Sequence, residues 1–364
     1  MLIKGSSRLP QNTRNILVIQ LGDLGDVVLT IPTLRALREN FPGSRLVVVL
    51  REKARGLLEG SPWVAEVVYV SKKKRNVPEE LAYQVTFFSK LRKHHFDVSF
   101  DLRTGTRGAF LSLLSGARIK VGRFNSNGRF WRERIFTHVV YPPDELNEHA
   151  VKRYINVILP FGLKIGSLEP ELVVSRERME KAYALLRHEG LEPEKPIVAV
   201  HPFSLWKYKE WQSDQWVSLI DYLAREYAFP VIITGSAEER SRAAGIIEKC
   251  KGKAFNLAGT TSVAELAALL KISGLVISVD TVALHVGAAV GTPTLGIFGP
   301  TPASVWAPIG KNHRVVQKDM PCVPCRQKGC GDSETSLCLQ NLSFAEIREA
   351  LDETLHHLRT AAGA

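Results

Sequence analysis

Residues 15–26 read NILVIQLGDLGD: an almost unbroken apolar, β-branched run that stops at a Gly-Asp-Leu-Gly-Asp turn and passes into a helical stretch reaching Phe41. A strand with one wet face alternates apolar and polar residues, whereas a continuous run marks a strand buried on both faces, the habit of parallel sheets. Outward from it the pattern repeats, with RLVVVL (45–50), EVVYV (66–70), a helix near 78–94 and FDVSFDL (96–102). It restarts with PIVAV (196–200), a helix over 213–227, PVIITG (230–235), a helix over 237–249, GLVISV (274–279) and TPTLGIF (292–298). Strands separated by helices of this length make α/β units. A Gly, Pro and charge-rich stretch near 162–175 divides the two series, so the expectation is two doubly wound Rossmann-like domains, 1–170 and 171–364, facing across a cleft. Ligands of such sheets sit beyond the carboxyl ends of the strands, which directs attention to loops 22–26, 103–108, 201–209, 235–238 and 280–285. Residues 343–360 form a closing amphipathic helix, with Ser343 and Glu346 spaced as a capping box. It is placed in the second domain, with a return onto the first left open.

The chain has 364 residues, room for two cores, and its 45% hydrophobic and 23% charged content is that of a folded protein. Its most apolar region, 255–299, is interrupted by Glu265, Lys271, Asp280 and His285, so no membrane span is expected. The opening MLIKGSSRLPQNTRN lacks a signal-peptide core, and a cytoplasmic location is expected. The net charge is +11, but residues 1–170 hold 27 Lys and Arg against 15 Asp and Glu, while the remainder is close to balanced. That asymmetry implies an anionic partner for the first half: nucleic acid, a membrane surface or a phosphorylated substrate. Cys322, Cys325, Cys330 and Cys338 have the number and spacing to wrap one zinc ion, but no second C-x2-C pair accompanies them. A compact loop of reduced thiols is the favoured reading, and no metal is expected.

The chemistry-bearing residues cluster after strands. Gly22 and Gly25 in GDLGD permit a tight turn, yet the spacing is not G-x-G-x-x-G and no acidic residue ends the second strand. A nicotinamide oxidoreductase is therefore poorly supported. Asp26 comes just before a helix, where the dipole favours the ionised form a general base needs; the blander reading makes it a helix cap, and Asp23 is its rival. Pro32 must sit in a first turn capped by Thr30 or kink a longer helix. In SVDTVALHVGAAVGTPTLGIFGPT (278–301), a strand ends at Asp280 and Thr281 opens a helix whose free N–H groups suit a diphosphate, with His285 one turn on. In VHPFSLWKYKEW (200–211), Ser204 can donate a hydrogen bond and Lys209, or equally Lys207, can neutralise phosphate. In TGSAEER (234–240), Glu238 or Glu239 can accept from a ribose hydroxyl. The basic excess sits in KKKR (72–75), LRKHH (91–95), Arg103, Arg107 and GRFNSNGRFWRER (122–134), interleaved with Phe124, Phe130 and Trp131. Such a patch suits nucleic acid by stacking, but no nucleic-acid motif accompanies it, so sugar phosphates and an acidic membrane surface are preferred.

Taken together, LVIQLGDLGDVVLTIPTLRALRENFP (17–42), the HP…K-x-W stretch (201–211), the G-x-A-E stretch (235–238) and DTVALHVGAAVGTPTLGIFGPT (280–301) resemble the ADP-heptose:lipopolysaccharide heptosyltransferases, glycosyltransferase family 9 of the GT-B fold. FDVSFDLRTGTRGA and the tail CVPCRQKGCGDSETSLCL further resemble the heptosyltransferase III subgroup. The resemblance implies a metal-independent, inverting transfer of heptose from ADP-heptose to the inner core of lipopolysaccharide. It implies Asp26 as catalytic base, and donor contacts from Ser204, Lys209, Glu238, Asp280, Thr281, Val282 and His285. The 1–170 domain would bind the acceptor, with Arg103, Arg107 and Arg123 touching it, and the 171–364 domain the nucleotide sugar. Val282 departs from the Gly usual in the family, and 203–209 carries an extra residue. No cofactor beyond the donor, no nucleic acid, a monomer and a peripheral place on the inner membrane complete the expectation. Its alternatives are a related transferase with another nucleotide-sugar donor and a non-catalytic protein binding acidic glycolipid.

Overall fold

The computed structural model describes residues 1–71, 73, 76–125, 130–141, 144 and 146–362. Lys72, Lys74 and Arg75 of the KKKR run and residues 126–129 of the 122–134 stretch therefore lie outside the described residues. The chain divides into two compact units, Met1–Val173 and Val174–Ala364.

The first unit runs β1 (Leu2–Lys4), β2 (Asn15–Gln20), α1 (Leu24–Asn40), β3 (Arg45–Arg51), β4 (Glu66–Val70), α2 (Val77–Arg92), β5 (Val98–Asp101), α3 (Thr106–Leu114), β6 (Ile119–Arg123), α4 (Phe130–Ile135), β7 (His138–Val140) and α5 (Ala150–Ile155). Its sheet order is β1-β7-β6-β5-β2-β3-β4, parallel except where β1 joins β7. The second unit runs α6 (Arg176–His188), β8 (Val198–His201), α7 (Ser213–Tyr222), β9 (Val231–Ile233), α8 (Arg240–Ile247), β10 (Ala254–Asn256), α9 (Val263–Ile272), β11 (Leu275–Val279), α10 (Val282–Ala289), β12 (Thr294–Phe298), α11 (Ala303–Trp306), β13 (His313–Gln317), α12 (Leu337–Gln340) and α13 (Phe344–Ala362). Its sheet is wholly parallel, in the order β10-β9-β8-β11-β12-β13. With β1 set aside, both sheets follow the doubly wound order 3-2-1-4-5-6, which reverses direction beside its first strand. The two switch points thus fall between β2 and β5 and between β8 and β11.

The continuous apolar runs behave as their composition requires. Ile16 to Ile19 and Leu46 to Leu50 are essentially inaccessible, as are Leu275 to Ile277. Five strands had no counterpart in the sequence reading: β1, β6, β7, β10 and β13 are three to five residues long and carry Lys, Arg, His, Asn or Gln. β1, β10 and β13 are edge strands, where a short strand needs less apolar surface, while β6 and β7 lie inside the first sheet between β5 and β1. The helix expected over 237–249 begins as a 3-10 turn, Ala237–Glu239, before α8. The one expected over 213–227 ends its α-helical part at Tyr222 and finishes as a π turn.

Helix α1 decides between the two geometries for Pro32. It starts at Leu24 with Asp23 as N-cap and runs through Pro32. Thr30 is interior to the helix and not its cap. Its hydroxyl donates to the Asp26 carbonyl (2.7 Å) and accepts from Gln20 Nε2 (2.6 Å). Nearly every residue from Asp26 to Leu37 is buried, so packing on both sides outweighs the roughly 3 kcal/mol that an interior proline costs. Helix α13 belongs to the core of the second unit: Ile347, Leu351 and Leu355 are fully buried with Trp216, Leu219 and Leu339. Glu346 accepts from both the N–H and the hydroxyl of Ser343 (2.9 and 2.8 Å), as its spacing implied.

Candidate functional site

At the first switch point the turn after β2 is shaped around a carboxylate. A side chain at Gly22 would place its Cβ 2.3 Å from Asp26 Oδ2, so glycine there makes room for Asp26 itself. Asp26 occupies the third position of α1, and its Oδ2 accepts from the Asp23 N–H (2.8 Å), closing a capping box. Its Oδ1 accepts from the Tyr154 hydroxyl (2.6 Å), delivered by α5 packing on α1. The Arg103 guanidinium, one loop beyond β5, lies 3.3 Å from Oδ2. Asp26 is 9% exposed. Burial first, and then the Asp26 charge, hold the Tyr154 phenol protonated far above its ordinary range, so Tyr154 is a fixed donor. Asp23 differs in kind: its side chain is mostly exposed, Lys53 donates to it and Arg51 lies 3.6 Å away. The Lys53 hydrogen bond is the main cause of its lowered pKa.

Beneath this loop lies a buried polar frame. Asp101, at the end of β5, accepts from Arg132 (3.0 Å) and from the Arg103 N–H (3.2 Å). Arg132 also donates to the carbonyls of Arg123 (2.6 Å) and Arg103 (2.8 Å). Burial raises the Asp101 pKa to about 7 against the opposing pull of Arg132. Arg123 is 4% exposed and donates to the Leu102 carbonyl (3.0 Å), so its guanidinium supports the loop from below and does not stand at the surface, where an acceptor contact was expected. Arg107 is exposed in the first turn of α3 and faces a groove between α2 and α3. Of the three expected acceptor arginines, only Arg103 meets Asp26.

At the second switch point the pairing has the opposite sense. Lys209 Nζ donates to Asp280 Oδ2 (2.7 Å), which also accepts from the Thr301 hydroxyl (2.7 Å); Asp280 is 4% exposed. Lys207 is exposed on the same short turn, Lys207–Lys209. Thr281 takes the N-cap position of α10 in extended conformation without a side-chain cap bond, leaving the N–H groups of the first turn directed outward. Val282 is half-buried at the first position of that helix, and His285, at its fourth, is 6% exposed. The Ser204 hydroxyl accepts from the Trp206 N–H (3.2 Å), while Glu210 accepts from the Ser204 N–H (3.0 Å) and pairs with Arg242. Glu239 accepts from the Ser236 N–H (2.6 Å) as a capping residue, which leaves Glu238 as the exposed acid of that turn. His201 ends β8 beside Thr234 (2.9 Å), and burial lowers its pKa to about 4.

Tyr154, Asp101, Arg132, Thr301 and Glu210 had no place in the sequence reading. Asp101 closes a strand that was recognised, so its position was legible and its buried arginine partner was not. Tyr154 belongs to a helix whose contact with α1 no local pattern announces. Among the described residues, no group of three or more His, Cys, Asp or Glu is placed to hold a metal ion. All five cysteines are free thiols, and burial raises the pKa of Cys338. Cys330 Sγ accepts from the Leu337 N–H at 3.4 Å. Among the described residues, no helix is long and apolar enough to cross a membrane.

Two doubly wound units, one presenting an oriented carboxylate at its switch point and the other an uncapped helix tip beside a lysine, are those of a GT-B glycosyltransferase. The sequence profile of glycosyltransferase family 9 (heptosyltransferase) matches residues 85–335, and the chain belongs to that family. It is 28% identical over 299 residues to lipopolysaccharide heptosyltransferase 3 of Escherichia coli, covering 79% of this chain and 84% of that one. Among solved structures it is similar to a family 9 glycosyl transferase from Veillonella parvula, with a TM-score of 0.81, 21% identity and coverage of 97% of this chain and 100% of that one. The E. coli ADP-heptose lipopolysaccharide heptosyltransferase II aligns with a TM-score of 0.78 and 21% identity, over 96% of this chain and 100% of that one.

Proposed function

We propose that this enzyme transfers heptose from ADP-heptose to a sugar hydroxyl of the lipopolysaccharide inner core, with inversion at the anomeric carbon. Family membership supports the reaction class, and the similarity to heptosyltransferase 3 supports the heptosyltransferase III subgroup. The observation that carries the mechanism is the Asp26 carboxylate, held on one oxygen by Tyr154 and on the other by Arg103 and the Asp23 N–H. In this mechanism Asp26 takes the proton of the acceptor hydroxyl while its oxygen bonds to the anomeric carbon. The bond from that carbon to the β-phosphate oxygen breaks, and ADP leaves carrying the added negative charge. The first-turn N–H groups of α10 and Lys209 meet that charge, acting as fixed donors that need little reorganisation. Lys209 is paired with Asp280, so a bound diphosphate would be a second anionic neighbour of its ammonium. Glu238 takes the ribose hydroxyls, and Arg103 takes an acceptor phosphate or carboxylate.

No cofactor takes part in the proposed reaction. The protein works as a monomer in the cytoplasm, peripherally at the inner membrane, and the charge of the first unit serves the anionic acceptor and not nucleic acid. The test is a donor screen read by mass spectrometry, offering ADP-, GDP- and UDP-sugars with truncated lipopolysaccharide. A mass gain of one heptose from ADP-heptose alone is the expected result. Transfer from another nucleotide sugar in its place would replace the donor, and no transfer from any would remove the enzymatic reading.

A further inference from the structure

Helix α2 contributes nothing to either switch point, yet its surface is unusual. Of its sixteen residues only Leu91 is buried. Val77, Leu81 and Val85 recur at four-residue intervals and are 83%, 65% and 62% exposed, which sets them along one stripe of the helix. The neighbouring helix α3 adds Phe110 and Leu113, 46% and 42% exposed. Between the two helices lies a groove of about 570 Å³, lined by Tyr83, Phe87, Phe88, Phe110 and Leu111, with Arg107 at its edge. Arg92 ties the helices together, its Nε donating to the Leu114 carbonyl (3.1 Å). Contiguous apolar surface of this kind marks a contact site.

The charge around it selects the partner. On α2, its C-cap and α3 the charges are four basic, Lys90, Arg92, Lys93 and Arg107, against two acidic, Glu79 and Glu80 in the first turn of α2, so the end of the pair away from that turn is basic. Lys90 and Arg107 are exposed on the same pair of helices as the apolar stripe, and Lys93 is exposed at the C-cap of α2. A second copy of this chain would bring an equally positive face against it, which disfavours self-association. An apolar stripe bordered at one end by exposed cations combines the two attractions, buried apolar area and charge, that hold a helix pair on an anionic membrane surface.

We infer that the α2–α3 face docks on an anionic lipid bilayer, with Leu81, Val85 and Phe110 entering the headgroup boundary while Lys90 and Lys93 meet the lipid charge. The inference names the surface for the peripheral membrane association in the proposed function, but its test needs no turnover. The full-length protein is sedimented with vesicles of phosphatidylcholine containing phosphatidylglycerol and, separately, with phosphatidylcholine alone. Binding to the anionic vesicles that is weakened by salt, with at least tenfold less binding to the neutral ones, is expected. Leu81→Asp with Val85→Asp, and independently Lys90→Glu with Lys93→Glu, each lower the anionic partition coefficient at least tenfold. Both leave thermal melting and turnover on a soluble, deacylated acceptor unchanged. The inference is overturned if the parent protein ignores anionic vesicles or binds both kinds equally. It is likewise overturned if either double variant binds as the parent does, or if Leu81→Asp with Val85→Asp dissolves a dimer of the parent, which would make a second copy the occupant. Intact vesicle binding with no sugar transfer from any donor would sink the proposed reaction and leave the docking surface standing.

Discussion

The two switch points share a strand order and differ in what they do with charge. Beyond β2 and β5, a carboxylate is surrounded by donors that hold it in one orientation: Tyr154, Arg103 and the Asp23 N–H on Asp26. Beyond β8 and β11, the carboxylate is Asp280, and Lys209 and Thr301 occupy the same oxygen, while the adjacent helix tip has no side-chain cap. The first arrangement keeps a negative charge in place; the second leaves positive partial charge ready for one that arrives. Identical topology therefore supplies the position and the side chains supply the sign, which is why fold alone does not assign the chemistry of either end.

The largest effect that bears on this contrast is loss of the proposed base. Asp26→Asn keeps the size of the side chain and removes its proton affinity, so kcat should fall by roughly 10² to 10⁴. Asp23→Asn should cost less than about tenfold, because Asp23 is already engaged by Lys53 and Arg51 and lies half in solvent. Steady-state transfer rates on the same donor and acceptor decide it. Near-parent activity in Asp26→Asn with a collapse in Asp23→Asn would reverse the two roles.

At the other switch point the corresponding change is Lys209→Met. It leaves a carboxylate that is 4% exposed without its cation, and breaking a buried pair in this way costs about 3–5 kcal/mol. Adding Asp280→Asn should restore most of the melting temperature while ADP affinity, measured by calorimetry, stays weakened at least tenfold. Restored affinity in the double variant would make Lys209 a partner of Asp280 and nothing more.

The units also differ in how they should respond to acid. His201 is held neutral, its pKa lowered from 6.5 to about 4 by burial. A histidine depressed in the fold contributes stability that is complete above its unfolded pKa and is lost as pH falls from 6.5 through 4, here roughly 3 kcal/mol for the second unit. Asp101 has the opposite slope: burial raises its pKa from 3.8 to about 7, so its contribution favours the first unit as pH falls through 7 toward 4. Thermal melts of the parent, His201→Gln and Asp101→Asn at pH 7.5 and 4.5 should show the acid-induced loss diminished in His201→Gln and enlarged in Asp101→Asn. Parallel shifts in all three proteins would remove both assignments.

What could be read in advance follows from how local each signal is. The runs at 15–20, 45–50 and 275–279 announce themselves because a strand covered on both faces needs apolar residues at every position. β10 and β13 are short flanking strands whose polar residues resemble loop. Asp280 was legible as a strand-end residue, whereas Asp26 and Lys209 lie further along the turns beyond β2 and β8, where Asp23 and Lys207 were rivals that only the family resemblance set aside. Contacts across the chain were not legible: Tyr154 lies 128 residues from Asp26, and Arg132 lies 31 residues from Asp101. The misplacement of Arg123 has the same origin, since nothing local distinguishes an arginine that meets solvent from one that donates to the Leu102 carbonyl beneath a loop. Spacing marked Gly22 as a turn residue and gave no hint that its missing side chain makes room for the carboxylate of Asp26.

The smallest of these effects tests the orientation of Asp26. Tyr154→Phe deletes one hydroxyl and keeps the ring that packs between α5 and α1, so the fold should be retained. A hydrogen bond to a charged group is worth about 1.5–3 kcal/mol, which corresponds to roughly a 10- to 100-fold loss if the whole interaction serves the transition state. The observed loss should be smaller than for Asp26→Asn, since Arg103 and the Asp23 N–H still hold the other oxygen. It should fall on kcat while the donor KM stays within a factor of about two, because Tyr154 touches the base and belongs to the first unit. A structural role alone would lower the melting temperature and leave kcat per folded molecule unchanged. A rise in donor KM with kcat preserved would instead make Tyr154 part of substrate binding, and would remove the division of labour drawn between the two switch points.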